Sequence, residues 1–110
     1  MRNNWRQILN RDAIIDTIRR HLSICRERYH VHSLALFGSA ARDEHTEESD
    51  IDLLVSYTQP PNSDDFFDLK FFLEDLLKRE VDLVTEKGLR PAFRDSVLHE
   101  CIDIQDGQLE

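Results

Sequence analysis

Seven residues narrow the folds open to this chain more than any others: Ser49-Asp50-Ile51-Asp52, running straight into Leu53-Leu54-Val55. From Ile51 to Tyr57 the chain is β-branched and apolar on both faces, the pattern of a central, covered strand. Side chains alternate faces along a strand, so Asp50 and Asp52 share one side while Ile51 and Leu53 share the other. Two such positions lie roughly 6.6 Å apart, close enough for both carboxylates to converge on one Mg²⁺ or to bridge two ions about 3.5–4 Å apart. A neighbouring strand should complete the set. Val81-Asp82-Leu83-Val84 offers Asp82, a polar residue in an otherwise apolar run. Two carboxylates about 4 Å apart repel by about 4 kcal/mol at an effective dielectric near 20, so protons or a metal must offset the crowding. Oxygen ligands alone favour Mg²⁺ or Mn²⁺.

Taken in order, the chain predicts a small α/β fold. Residues 1–10 show no clear period and read as a lead-in. Ile15, Ile18, Leu22, Cys25 and Tyr29 recur at spacings of three and four, one face of an amphipathic helix from Asp12 to Tyr29 capped by Asn10 or Asp12. Val31 to Phe37 reads as a strand closed by Gly38, and Ser39-Ala40-Ala41-Arg42 as a short helix. Asp43 to Ser49 is a polar loop, and Pro60-Pro61 marks the turn after the strand at Ile51–Tyr57. Asn62 or Ser63 caps a long helix with a stripe of Phe66, Leu69, Leu73, Leu76 and Leu77; Phe72 lies beside it, and Lys78 and Arg79 belong to its last turn. Val81 to Thr85 is a third strand. Pro91 opens a helix to Glu100, and Cys101 to Ile104 is a short edge strand. The order implies a small mixed β-sheet with helices packed on it.

Gly38-Ser39 complements the acids. A glycine lets a phosphate approach the backbone, amides at a helix start offer an anion site, and the Ser39 hydroxyl adds a hydrogen bond. A Gly-Ser pair alone reads as a turn. Arg42 can reach the same phosphates, or it can pair with Glu47 or Glu48; the sequence leaves both open.

At 110 residues, 40% hydrophobic and 33% charged, the chain predicts one globular domain spanning 1–110. No apolar run approaches the ~20 residues needed to cross a bilayer, and residues 1–11 carry three arginines rather than an apolar signal core, so a cytoplasmic location is the default. Cys25 and Cys101 then read as reduced thiols in apolar surroundings. The net charge of −8 is divided: residues 1–30 hold seven arginines against three acids, whereas residues 31–110 hold seven basic residues against nineteen acids. Such acidity argues against binding duplex nucleic acid through phosphate neutralisation. A calcium or zinc site is a third, weaker reading, because Leu54 and Val55 stand where the calcium loop needs an oxygen ligand and a glycine, and Cys25, His30, His32 and His45 lack paired zinc-ligand spacing.

The joined spacing is far more specific than its parts. Gly38-Ser39-x-x-Arg42, then Ser49-Asp50-x-Asp52-Leu53-x-Val55, resembles the signature of the DNA polymerase beta-like nucleotidyltransferase superfamily, and the chain is similar to its minimal nucleotidyltransferases (MNT domains). Val81-Asp82-Leu83-Val84, Leu89-Arg90-Pro91, Arg94 and Glu100 extend the likeness over residues 12–104. The resemblance implies that Asp50 and Asp52 hold two metals and that Asp82 ligates one of them and helps deprotonate the attacking hydroxyl. It also implies that Gly38 and Ser39 hold the triphosphate of ATP while AMP is transferred and pyrophosphate released. Asp43 departs from the pattern, since many relatives carry glycine there. Similar proteins occur as antitoxins that transfer AMP to a tyrosine of a HEPN-domain RNase toxin, so the resemblance implies that partner and a hetero-oligomer. The other reading is a catalytically idle module that neutralises its partner by contact.

Overall fold

The computed structural model describes residues 10–105, so the lead-in expected before Asn10 lies outside the described residues. Nine elements follow in order: α1 (Arg11–Arg20), α2 (Leu22–Tyr29), β1 (Val31–Phe37), α3 (Gly38–Ala41), β2 (Ile51–Tyr57), α4 (Ser63–Leu77), β3 (Val81–Thr85), α5 (Pro91–Glu100) and β4 (Ile102–Asp103). The strands form one mixed sheet in the order β3-β2-β1-β4. β1 pairs antiparallel with β2 and with β4, and β2 pairs parallel with β3. A parallel pair needs a crossover, and α4 supplies it.

The apolar pattern decides which face of the sheet the helices cover. Leu34, Leu36, Ile51, Leu53, Val55, Val81 and Leu83 pack against Ile14, Ile18, Leu22, Cys25, Leu69, Leu73 and Leu77. The opposite face has only a small cluster, in which Val97 of α5 covers Ala35 and Leu54. Asp52 and Asp82 alternate onto this second face with Leu54 and Val84. The face left largely uncovered by helices therefore carries the acids.

Local chemistry sets the helix ends. The Asn10 side chain accepts from Ala13 N (2.8 Å) and that of Asn62 accepts from Asp65 N (2.8 Å). The single helix expected over 12–29 is instead two. Thr17 and His21 both bond side chain to backbone, Thr17 Oγ1 donating to Ala13 O (2.7 Å) and His21 Nδ1 pairing with Thr17 O (2.8 Å). His21 N then bonds Ile18 O (2.9 Å), tightening the turn enough to end α1. The buried stripe of α1 also runs through Ile14 rather than Ile15, which is half-buried. Lys78 is not in the last turn of α4 but caps it with φ of 58°, and Arg79 lies beyond the helix.

Among the described residues no helix is long and apolar enough to cross a membrane. Both cysteines are free, and burial pushes the Cys25 thiol up to about 11.

Candidate active site

β2 and β3 bring two of the acids side by side. Their parallel register sets Asp52 directly opposite Asp82. Asp50 is exposed just before β2 begins, where Ile51 N bonds Glu80 O (2.9 Å). Asp52 is half-buried, and its carboxyl is pushed up to about 6. Burial is the largest cause, followed by the charge of Asp82, the charge of Asp50, a hydrogen bond with Asp82 and the charge of Glu100. Asp52 thus interacts with both other acids. Among the described residues no group of three or more His, Cys, Asp and Glu side chains is already placed to hold a metal ion, so the three-acid set expected from the sequence is not preassembled.

That loop is built rather than slack. Thr46 N donates to Ser49 Oγ (3.0 Å), Glu48 N donates to Thr46 Oγ1 (3.2 Å), and the Arg79 guanidinium donates to the carbonyls of Thr46 and Ser49. Nothing in the spacing of Arg79 ties it to residues 30 or 33 positions earlier, so this contact arises only in the folded chain. A cleft of about 410 Å³ borders Glu48, Asp50, Lys78 and Arg79, leaving the Asp50 side of the site open.

Gly38 closes the other side. It has φ of +71°, and a Cβ there would collide with Asp52 Oδ2 and lie 2.9 Å from Asp52 Cγ. Only glycine lets the β1–α3 corner sit against that carboxylate. Ser39, half-buried, follows as the second residue of α3, and its carbonyl accepts from Glu44 N (2.8 Å). Arg42 does not pair with Glu47 or Glu48. Its Nε donates to Glu44 (3.1 Å) and its Nη1 to Glu100 (2.9 Å), and the two acids hold its proton more tightly. Glu100 also accepts from Gly38 N (3.0 Å). The sequence showed Glu100 only as part of the resemblance, without a role.

Asp43 explains its own departure from the pattern. Its φ is +60°, the left-handed region glycine enters freely and aspartate tolerates. Its carboxylate accepts from Arg11 N (3.1 Å) at the start of α1, which ties the corner to the first helix.

The family model for the nucleotidyltransferase domain matches residues 18–104. A Methanocaldococcus jannaschii protein provisionally named a protein adenylyltransferase is 43% identical over 90 residues, covering 81% of this chain and 92% of its own. The protein adenylyltransferase MntA of Thermococcus cleftensis is 35% identical over 95 residues, 86% of this chain and 96% of that one. A solved structure provisionally described as a minimal nucleotidyltransferase superposes with a TM-score of 0.74 at 39% identity, over 84% of this chain and 94% of that chain. The fold also matches, at 22% identity and a TM-score of 0.56, a solved complex of a tri-AMPylated Shewanella oneidensis HEPN toxin with an MNT antitoxin, over 91% of this chain and 72% of that one. With the mixed sheet and its acid-bearing face in view, these likenesses show that the chain belongs to the nucleotidyltransferase domain family and is an enzyme of the minimal nucleotidyltransferase kind.

Proposed function

We propose that the chain transfers AMP from ATP to a hydroxyl, a tyrosine in the first instance, of a HEPN-domain RNase toxin, and so acts as its antitoxin. The observation that carries the reading is Asp52: a half-buried carboxylate opposite Asp82, beside Asp50, with the Gly38 backbone pressed against it. Burial first, and then the charges of Asp82 and Asp50, raise its proton affinity, and Arg42 is engaged by Glu44 and Glu100 rather than by Asp52. An oxygen-only donor set with this excess charge fits a hard divalent cation. Asp50, Asp52 and Asp82 would hold two Mg²⁺ ions, which when bound stabilise charge on the entering and leaving oxygens of an in-line displacement.

The rest of the work falls to the chain. The Gly38 amide, the Ser39 hydroxyl and Arg42 bind and orient the triphosphate. Asp82, exposed at its strand, accepts the proton of the attacking hydroxyl. The hydroxyl oxygen bonds the α-phosphorus, the bond to the β-phosphate oxygen breaks, and pyrophosphate leaves. The names of the close relatives support AMP as the transferred group. The HEPN-toxin complex that shares this fold supports the acceptor and a hetero-oligomer.

The test mixes the chain, its toxin, ATP and Mg²⁺ and reads the toxin's intact mass. The wild type adds AMP-sized increments and Asp82→Asn adds few or none. No increment with wild type, or an undiminished one with Asp82→Asn, overturns the reading. Full neutralisation by an Asp50→Asn/Asp52→Asn variant would assign the antitoxin effect to contact alone.

A further inference from the structure

The two anion donors of the glycine corner are already in use. Glu100, the last residue of α5, spans them with one carboxylate: Oε2 accepts from Gly38 N at 3.0 Å and Oε1 accepts from Arg42 Nη1 at 2.9 Å. Glu100 comes from 62 residues further along the chain, so this contact is made by the fold and not by local sequence. A carboxylate held by an arginine and a backbone amide has the chemistry of a bound phosphate oxygen pair, since both anions take charge-assisted bonds from the same donors. Little holds Glu100 besides this contact. Of the ten residues of α5 only Val97 is buried, and the Glu100 side chain keeps 30% of its exposure.

We propose that Glu100 is a positioning residue that stands in for a nucleotide phosphate, holding the Gly38 N–H and Arg42 in place and surrendering both donors when the triphosphate arrives. The inference rests on the phosphate-binding reading of Gly38 and Arg42. Two consequences follow from the chemistry. The corner is kept ordered before nucleotide binds, because an arginine and a left-handed glycine would otherwise lose their common partner. The carboxylate also competes with the ligand, because a polyphosphate must displace an anion before it can use either donor. Sharing donors in this way weakens binding while preserving geometry.

A brace and a stand-in predict opposite results when the charge is removed. Glu100→Gln keeps the length and the acceptor oxygen but weakens both bonds. The experiment measures binding of the α,β-methylene analogue of ATP, whose α–β bridge cannot be cleaved, with Mg²⁺ to wild type and to Glu100→Gln, with the side-chain carboxyl ¹³C resonance of Glu100 followed in the wild type. Under the proposal Glu100→Gln binds roughly three- to tenfold more tightly, and saturating nucleotide moves the wild-type Glu100 resonance towards that of a free carboxylate. Wild-type binding with an equal or weaker Glu100→Gln overturns the stand-in role alone, leaving Glu100 a brace. Binding by neither protein overturns the nucleotide-site reading itself. Should Glu100→Gln fail to fold, an unmoved wild-type resonance at saturation is enough to reject the inference.

Discussion

Asp52 shows how a half-buried, crowded carboxylate weakens the fold that holds it. Its carboxyl binds a proton more tightly in the folded chain than the ordinary aspartate value of 3.8 implies, so the unfolded state is the better acid. The resulting cost is absent below about pH 4, grows as the pH rises through 6, and is complete above it. Asp52→Asn should therefore raise the melting temperature of the metal-free protein at pH 8 and leave it nearly unchanged at pH 4. About half the group faces solvent, so the gain at pH 8 is on the order of 1 kcal/mol rather than the full value of the shift. A melting curve in EDTA at both values checks this. Gly38→Ala acts in the other direction: a Cβ at φ of +71° collides with the Asp52 carboxylate, and the loss should reach about 2–3 kcal/mol. At Asp43 the two effects oppose. Glycine relieves the left-handed backbone but loses the bond to Arg11 N, so Asp43→Gly should stay within about 0.5 kcal/mol of wild type while Asp43→Ala costs about 1 kcal/mol or more in chemical denaturation. Strand alternation made the facing of Asp52 and Asp82 readable from the sequence. The partner of Arg42 was not readable, because Glu100 reaches it only through tertiary folding.

Among elements, α4 and β3 are joined by a tie that has its own pH dependence. Glu74 accepts from Lys70 Nζ (2.7 Å) and from Val81 N (3.0 Å) at the start of β3. The Lys70 bond and then the Val81 amide lower its pKa, so the stabilisation is present above the ordinary carboxyl range and is lost as the pH falls through the folded value. Glu74→Ala should cost about 1 kcal/mol at pH 7, with the difference from wild type closing below pH 4 in a denaturation series. The strands were legible almost to the residue because Gly38, Pro60-Pro61 and Gly88 bound their apolar runs. The first helix was less so. Ile14 and Ile15 fit a three–four spacing equally well, and periodicity does not register side chains such as Thr17 and His21 that bond to the backbone inside a helix.

At the scale of the whole molecule, the sheet divides structure from chemistry. One face holds the helices and the main core, and the other holds three acids, a glycine corner and one lightly packed helix. Excess negative charge on that second face should make Mg²⁺ a stabiliser: at about 100 times its dissociation constant an ion adds roughly 2.7 kcal/mol. Thermal melts with and without Mg²⁺ should show a rise for wild type and little for Asp52→Asn. Fold class and the facing of Asp52 and Asp82 followed from alternation and element order, whereas the acceptor depends on a surface no motif encodes. The most direct test of the account uses ATP labelled at the α- or the γ-phosphate, incubated with the chain, a HEPN toxin and Mg²⁺. The account predicts label on the toxin from α-labelled ATP only, and none with Asp52→Asn. Transfer of the γ-label, or α-label that persists with Asp52→Asn, would contradict it.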